Sequence, residues 1–370
     1  MKLTKKTFGV VYTPAMDERA PGAMYPRVIR LEHNGKFNGT LLATFERYTF
    51  DTPYFAIHAS VDDGRTWSLL SKVHDTKNGW GMRYQPHLFE LPKAVGKLAE
   101  GTILCAGNSI PGSMMETDLL LFKSEDRGAS WQYMSSIDKG GKAAVDHNEG
   151  ERPIWEPYLY LDAHADLVCY YSDERFLKDG FNQLLCHRIS KDGGLTWGSE
   201  VFDVAVPDGK LRPGMPIVQL LPNGKYIMVY EIVGIPDYPI YCRFSDDGDD
   251  WGDPANLGVL VEDEAGAFLG STPYCIWTKA GGKNGTVIVS GRIGSAGLGL
   301  MEPGYFLVND DCGRGKWKKL PSLNHYDSKC HFAAYSQTMI TIDDKELLQL
   351  TSVQISPKLA QVAYAIGDIG

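Results

Sequence analysis

Six stretches of the chain share one layout of apolar and polar positions. Each opens at a proline or its equivalent and then alternates: YPRVIRL (25–31), QPHLFEL (85–91), EPYLYLD (156–162), MPIVQLL (215–221), TPYCIWT (272–278) and SQTMITI (336–342). A turn follows, and the chain re-emerges in an apolar run: TLLATF, TILCAG, LVCYYS, YIMVYE, TVIVSG or LLQLTS. Alternation with period two marks a strand buried on one face, and a short unbroken apolar run marks a strand buried on both. Each stretch therefore reads as strand, turn, strand.

A second repeat falls between these pairs. SVDDGRTW (60–67), SEDRGASW (124–131) and SKDGGLTW (190–197) are clean copies, while FSDDGDDW (244–251) and NDDCGRGKW (309–317) are worn ones. Its logic is that of a hairpin turn. Ser and Asp side chains bond the turn's own amides, Gly supplies the positive φ, and Trp packs back on the sheet. A third strand leads into each turn and a fourth leaves it. Four antiparallel strands repeated six times predict an all-β, six-bladed β-propeller spanning residues 1–370 as one domain. The sixth unit runs out of chain at AYAIGDIG, so the N-terminal FGVVYT (8–13) is expected to supply its last strand and close the ring.

Composition agrees with short strands and many turns: 40 Gly, 20 Pro and 11% aromatic residues in 370, with 43% hydrophobic content. A net charge of −9 without a basic run excludes phosphate-backbone binding as the main role, and no apolar stretch approaches membrane-spanning length. Neither nucleic acid nor membrane is expected as a partner, and the protein is expected to act as a monomer. Seven cysteines lie singly without a C-x-x-C pair and read as buried thiols. The opening MKLTKKTFGVVYTP lacks an apolar signal segment, so the chain as it stands is expected to stay in the cytoplasm, and to be secreted only if a leader preceded it.

In a propeller the first strand of each blade lines the channel, and the second runs back beside it. The start of the first and the end of the second thus share one rim. Strand starts place Arg27, Gln85, His87, Glu156, Tyr158, Arg212, Thr272, Tyr335 and Gln337 there, and strand ends place Glu46, Arg47, Asn108, Asp173, Glu174, Arg175, Glu231 and Arg292. Two carboxylates stand out on adjacent blades: Glu156, wedged between Trp155 and Pro157, and Glu231, after an unbroken apolar run. Glycoside hydrolysis uses such a pair, separated by about 5 Å when configuration is retained and more widely when it is inverted. Burial and mutual repulsion would split their pKa values and so divide their roles. Either glutamate could instead be a salt-bridged rim residue. The substrate-binding candidates are Arg27, Gln85, His87, Asn108, Trp155, Tyr158, Asp173, Arg212, Arg292 and Gln337. The arginines could grip a substrate or simply pair with the rim acids, and the aromatics could stack on a sugar or pack the core. His87, His58 and His74 lack ligand spacing, and the acidic run 246–250 falls within a Ser-Asp turn, so no metal and no cofactor are expected.

The S-x-D-x-G-x-x-W turns are similar to the Asp boxes of the sialidase superfamily, and YPRVIRL resembles the arginine-bearing motif that opens blade one there. WEPYLYL around Glu156 and RPGMPIVQLLPNGKYIMVYE (212–231) resemble family 93 glycoside hydrolases, retaining exo-α-1,5-L-arabinanases that release arabinobiose from non-reducing ends. That resemblance implies Glu156 as nucleophile, Glu231 as acid/base and Tyr335 as their tyrosine partner, with an oligo- or polysaccharide as substrate. A sialidase reading competes with it. Tyr335 with Glu231, Asp51, and an Arg27/Arg243/Arg292 triad would serve that mechanism, but it gives Glu156 no role. A non-catalytic glycan-binding propeller is the third reading.

Overall fold

A computed structural model describes residues 1–143, 152–294, 304–323 and 332–370. Among these residues the chain forms six four-stranded antiparallel sheets, one two-stranded ribbon and two single 3₁₀ turns. Blade 1 is Ala23–Arg30, Leu41–Arg47, Phe55–Ser60 and Ser68–Val73. Blades 2, 3, 4 and 5 begin at Met82–Glu90, Ile154–Leu161, Arg212–Leu220 and Tyr274–Gly282. Blade 6 consists of Thr338–Ile342, Glu346–Gln354, Ala360–Ile369 and, as its outer strand, the N-terminal Leu3–Tyr12. That last strand is longer than the segment 8–13 and pairs with Ala360–Ile369 along its length.

The core lies in the seams between blades. Phe55, Ile57 and Leu88 fill the gap between blades 1 and 2, Leu119, Leu159 and Tyr171 that between 2 and 3, and Phe45, Leu348 and Tyr364 that between 6 and 1. One continuous cluster runs from Tyr170 through Tyr230 and Val289 to Leu347, joining blades 3 to 6.

The Ser-Asp turns sit where third strands hand over to fourth strands, on the face opposite the start of the inner strands. Ser60 Oγ donates to Asp62 Oδ1 (2.8 Å) and accepts the Gly64 N–H (2.9 Å), and Asp62 accepts both the N–H and the hydroxyl of Thr66. The later copies also clamp neighbouring blades. Trp131 Nε1 donates to Ser71 Oγ of blade 1 (3.0 Å), and Trp197 Nε1 donates to Ser135 Oγ of blade 2 (3.0 Å). In the most degenerate turn Asn309 replaces serine, and its Oδ1 accepts the N–H groups of Asp311 and Gly313. The described cysteines, 105, 169, 186, 242, 275 and 312, are buried free thiols; Cys330 lies outside the described residues.

The proline that opens five of the six sequence units, and Gln337 in the sixth, marks a bulge. Tyr25, Gln85, Glu156, Met215, Thr272 and Ser336 all have left-handed backbone, with φ between 47° and 63°. In blades 1 to 4 the pairing register breaks at this residue and its successor. A bulge leaves one residue without a ladder partner, and proline has no N–H to orphan there, which suits it to the next position. Each left-handed side chain costs on the order of 1–2 kcal/mol, and strain of this kind collects at functional sites.

Candidate active site

Six bulges surround one axis, and the backbone N–H groups of five of them are handed to a neighbouring blade. Gln85 N–H donates to Glu46 Oε1 (2.9 Å), and Glu156 N–H to Gln85 Oε1 (3.3 Å). Met215 N–H donates to Glu156 Oε2 (2.7 Å), Thr272 N–H to Glu231 Oε2 (2.6 Å), and Tyr25 N–H to the Tyr335 carbonyl (3.2 Å). The ring therefore turns three carboxylates into acceptors at the channel mouth. A glutamate opens a strand at position 156 because the bulge swings it out of the ladder and towards the axis.

Glu156 and Glu231 come from adjacent blades and converge. Glu231 pairs across its sheet with Gly214, and a Cβ placed on Gly214 would lie 3.5 Å from Glu156 Oε2 and 2.7 Å from Gln183 Nε2. Glycine at 214 thus gives the Glu156 carboxyl room to lie against the strand that faces Glu231. Ser172 Oγ donates to the same Glu156 oxygen (2.7 Å). Burial raises the Glu156 pKa, and the Ser172 hydroxyl, the Met215 N–H and the Arg212 charge oppose the rise. Burial, followed by the Glu156 charge, pushes Glu231 up to about 7 against the Thr272 N–H. Burial thus raises both carboxyls, and the charge of Glu156 adds to the rise at Glu231. The Tyr335 phenol is pushed well above the usual range by burial and then by the charges of Glu156, Glu231 and Glu46.

The other expected residues divide. Gln85 sits in the site between Glu46 and Glu156. Trp155 lies at the rim, its Nε1 donating to Glu174 Oε1 (2.8 Å) and its ring 6.4 Å from that of Tyr84. Arg212 is held by Glu174 (2.7 Å), Gln183 (2.7 Å) and Asn182 (3.1 Å), and Arg152 takes the second Glu174 oxygen (3.2 Å). Arg27 is buried in the channel wall between the Tyr25 and Tyr274 rings, donating to the Ser336 hydroxyl and carbonyl. Arg292 reaches the Ala333 carbonyl (3.0 Å) across the seam between blades 5 and 6.

Five expectations require correction. His87 and Tyr158 lie one pleat below the bulges, their rings 4.2 Å apart and tilted by 40°, where with Tyr274 they line a separate cavity of about 460 Å³ at the far mouth. Burial depresses His87 to about 3, so its ring is neutral packing. Asn108 is fully buried and holds the Ile154 carbonyl (2.7 Å). Asp173 turns away from the channel onto Arg175, because strand side chains alternate and its neighbour Ser172 takes the inward position. Gln337 is buried against Gly291 O (3.0 Å) and Gln349. The sialidase set also disperses. Arg243, on the third strand of blade 4, donates to the carbonyls of Asp203 on the outer strand of blade 3 and of Asp253, and Asp51 is exposed in a loop beside Arg47. Glu46, Ser172, Tyr48 and Glu174 belong to the site or its wall without having been singled out as site residues. The recurring proline, which fixes the bulge and hence the parity of the neighbouring strand, was the signal for the first two.

Solved structures give the comparison that decides the family. An α-L-arabinanase of Penicillium chrysogenum, solved with arabinobiose, is 35% identical over 99% of both chains with a TM-score of 0.86. A GH93 α-L-arabinofuranosidase of Fusarium graminearum, also solved with arabinobiose, is 33% identical over 98% of this chain and 97% of its own, with a TM-score of 0.82. This chain belongs to glycoside hydrolase family 93. As a family 93 member it is a glycoside hydrolase, and its six-bladed propeller is shared at 12% identity with a sialidase of Streptococcus pneumoniae, a likeness of fold alone (TM-score 0.59). No family model and no curated protein matches the chain.

Proposed function

We propose that this family 93 enzyme is a retaining exo-hydrolase that releases arabinobiose from the non-reducing end of linear α-1,5-L-arabinan. The observation that carries the reading is the convergence of Glu156 and Glu231, from adjacent blades, close enough for the charge of one to raise the other. Two relatives more than 30% identical were solved with arabinobiose, which supports the disaccharide as the unit bound.

Glu156 acts as nucleophile. Ser172 and Met215 both donate to Oε2, stabilising the carboxylate and leaving Oε1 to attack the anomeric carbon. As the C–O bond to the leaving sugar breaks, Glu231, holding a proton near neutral pH, gives it to the departing oxygen. The resulting glycosyl ester on Glu156 is opened by water, from which the Glu231 carboxylate takes the proton back. Each step inverts the anomeric centre, so the product keeps the substrate's configuration. Tyr335, whose phenol feels the charges of both carboxyls, serves as the hydroxyl donor to Glu156.

Incubation with linear α-1,5-arabinan, followed by chromatography, tests the reading. Arabinobiose as the first product supports it. Arabinan left intact, or a sialoside cleaved instead, refutes it.

A further inference from the structure

The propeller repeats one position around the ring: the residue of the second strand paired just before the bulge. It is Glu46 opposite Met24 in blade 1, Asn108 opposite Tyr84 in blade 2, Ser172 opposite Trp155 in blade 3 and Glu231 opposite Gly214 in blade 4. Glu46 is therefore the counterpart of Glu231 on the facing blade. Each accepts the bulge N–H of the following blade, from Gln85 and Thr272 respectively.

Their surroundings then differ. Glu46 is 3% exposed, and Tyr48 caps it by donating its hydroxyl to Oε2 (2.8 Å), with the Tyr84 ring packed 5.8 Å from that of Tyr48. Glu231 keeps more open surface. Glu46 thus has the place of a catalytic acid without its access to substrate. Among the described residues, a hydrogen-bonded link from Glu46 towards the reacting centre runs through Gln85, whose N–H it accepts and whose side-chain oxygen accepts the Glu156 N–H.

We propose that Glu46 is a positioning residue for the nucleophile: it seats the strained Gln85, and Gln85 seats the backbone of Glu156. The inference rests on the proposed role of Glu156. The groups around Glu46 are consistent with a carboxyl held in place: Arg27 and Tyr48 on its own blade, Gln85 and Tyr84 on blade 2, Glu156 on blade 3 and Tyr335 on blade 6. Burial, against the Gln85 N–H, Tyr48 and Arg27, pushes it up to about 7. It accordingly keeps an acceptor oxygen for Gln85 in either protonation state.

The test compares Glu46→Ala, Glu46→Gln, Gln85→Ala and the Glu46→Ala/Gln85→Ala double variant on linear arabinan. Displacing a catalytic group slightly costs roughly 10- to 100-fold in turnover, so Glu46→Ala and Gln85→Ala should each lower kcat by about that factor with KM nearly unchanged. Glu46→Gln retains an acceptor for the Gln85 N–H and should restore most of kcat. The double variant should be no slower than Gln85→Ala, since both act through one link. Unchanged kcat in Glu46→Ala, losses that multiply in the double variant, or a loss confined to KM would overturn the proposal. Labelling of Glu156 by a water-soluble carbodiimide, read by peptide mass spectrometry, separates this idea from the function reading because it needs no turnover. If wild-type protein leaves arabinan intact, the function reading falls. Glu46 is then judged on labelling alone: a severalfold change in the Glu156 labelling rate in Glu46→Ala upholds the link, and an unchanged rate overturns it.

Discussion

Ser172→Ala isolates the charge state of the nucleophile. Ser172 is fully buried, and its hydroxyl donates to Glu156 Oε2 at 2.7 Å. Alanine removes the donor with little change in volume. It orphans no other group, because Met215 N–H, which also lies 3.3 Å from Ser172 Oγ, still has Glu156 Oε2 at 2.7 Å. A hydrogen bond to a charged acceptor contributes about 1.5–3 kcal/mol. At about 1.4 kcal/mol per pKa unit, its loss raises the Glu156 pKa by roughly one to two units. The remaining Met215 donor favours the lower end. Because the donor stabilises the carboxylate, its removal makes protonation easier, and the acid limb of kcat/KM against pH moves upward by about one unit. On the plateau the rate should change little, and two units below it the deficit should reach about tenfold. An aryl arabinobioside assayed from pH 3 to 9 gives the profile. A uniform loss at every pH, with the limb in place, would refute the assignment of that limb to Glu156.

Three further outcomes follow from the same geometry. Glu156→Gln and Glu231→Gln should each lower turnover on arabinan by about 10²–10⁴-fold or more, with melting temperatures close to wild type; near-native rates in either would end the paired-acid account. Glu231 must be protonated for the first step, and burial and the Glu156 charge hold it at about 7, so the wild-type rate should fall as pH rises through that value. His187 lies between Asp203 (2.8 Å) and Asp249 (3.0 Å); burial opposes its charge, but the two carboxylates prevail and raise it to about 10. A raised folded-state pKa gives stabilisation that is full below the unfolded value of about 6.5 and is lost as pH rises through about 10. His187→Gln should therefore cost about 3 kcal/mol in urea denaturation at pH 6, discounted for the partly exposed Asp249, and much less at pH 10.5.

The blade count was legible because two independent repeats, the X-Pro opening and the Ser-Asp turn, run in step along the chain. Even the worn copies work: Asn309 does with an amide what Ser60 does with a hydroxyl. Glu156 and Glu231 were legible because a charge beside a proline at a strand start, and another after an apolar run, conflict with ordinary strand composition. Parity along the second strands was not legible. Side chains alternate, so a one-residue difference sends Ser172 inward and Asp173 onto Arg175, Glu46 to the channel and Arg47 out to Tyr12. The bulge sets that parity, and its left-handed residue is invisible in a string of letters when it is Tyr, Gln or Glu rather than Gly. Blade 6, where Gln337 replaces proline, hid its bulge at Ser336 for the same reason. The arginines were ambiguous because a guanidinium pairs equally well with a protein carboxylate or with a ligand. Glu174, which holds both Trp155 and Arg212, decided that choice for Arg212.

The most direct measurement is to trap the intermediate. Glu231→Gln, given an arabinobioside with an activated leaving group, can form the glycosyl ester without acid assistance but lacks the base to open it, so the adduct accumulates. Peptide mass spectrometry should place an arabinobiosyl group on Glu156. No adduct, or one on Tyr335 or Glu46, would contradict the pairing of Glu156 with Glu231.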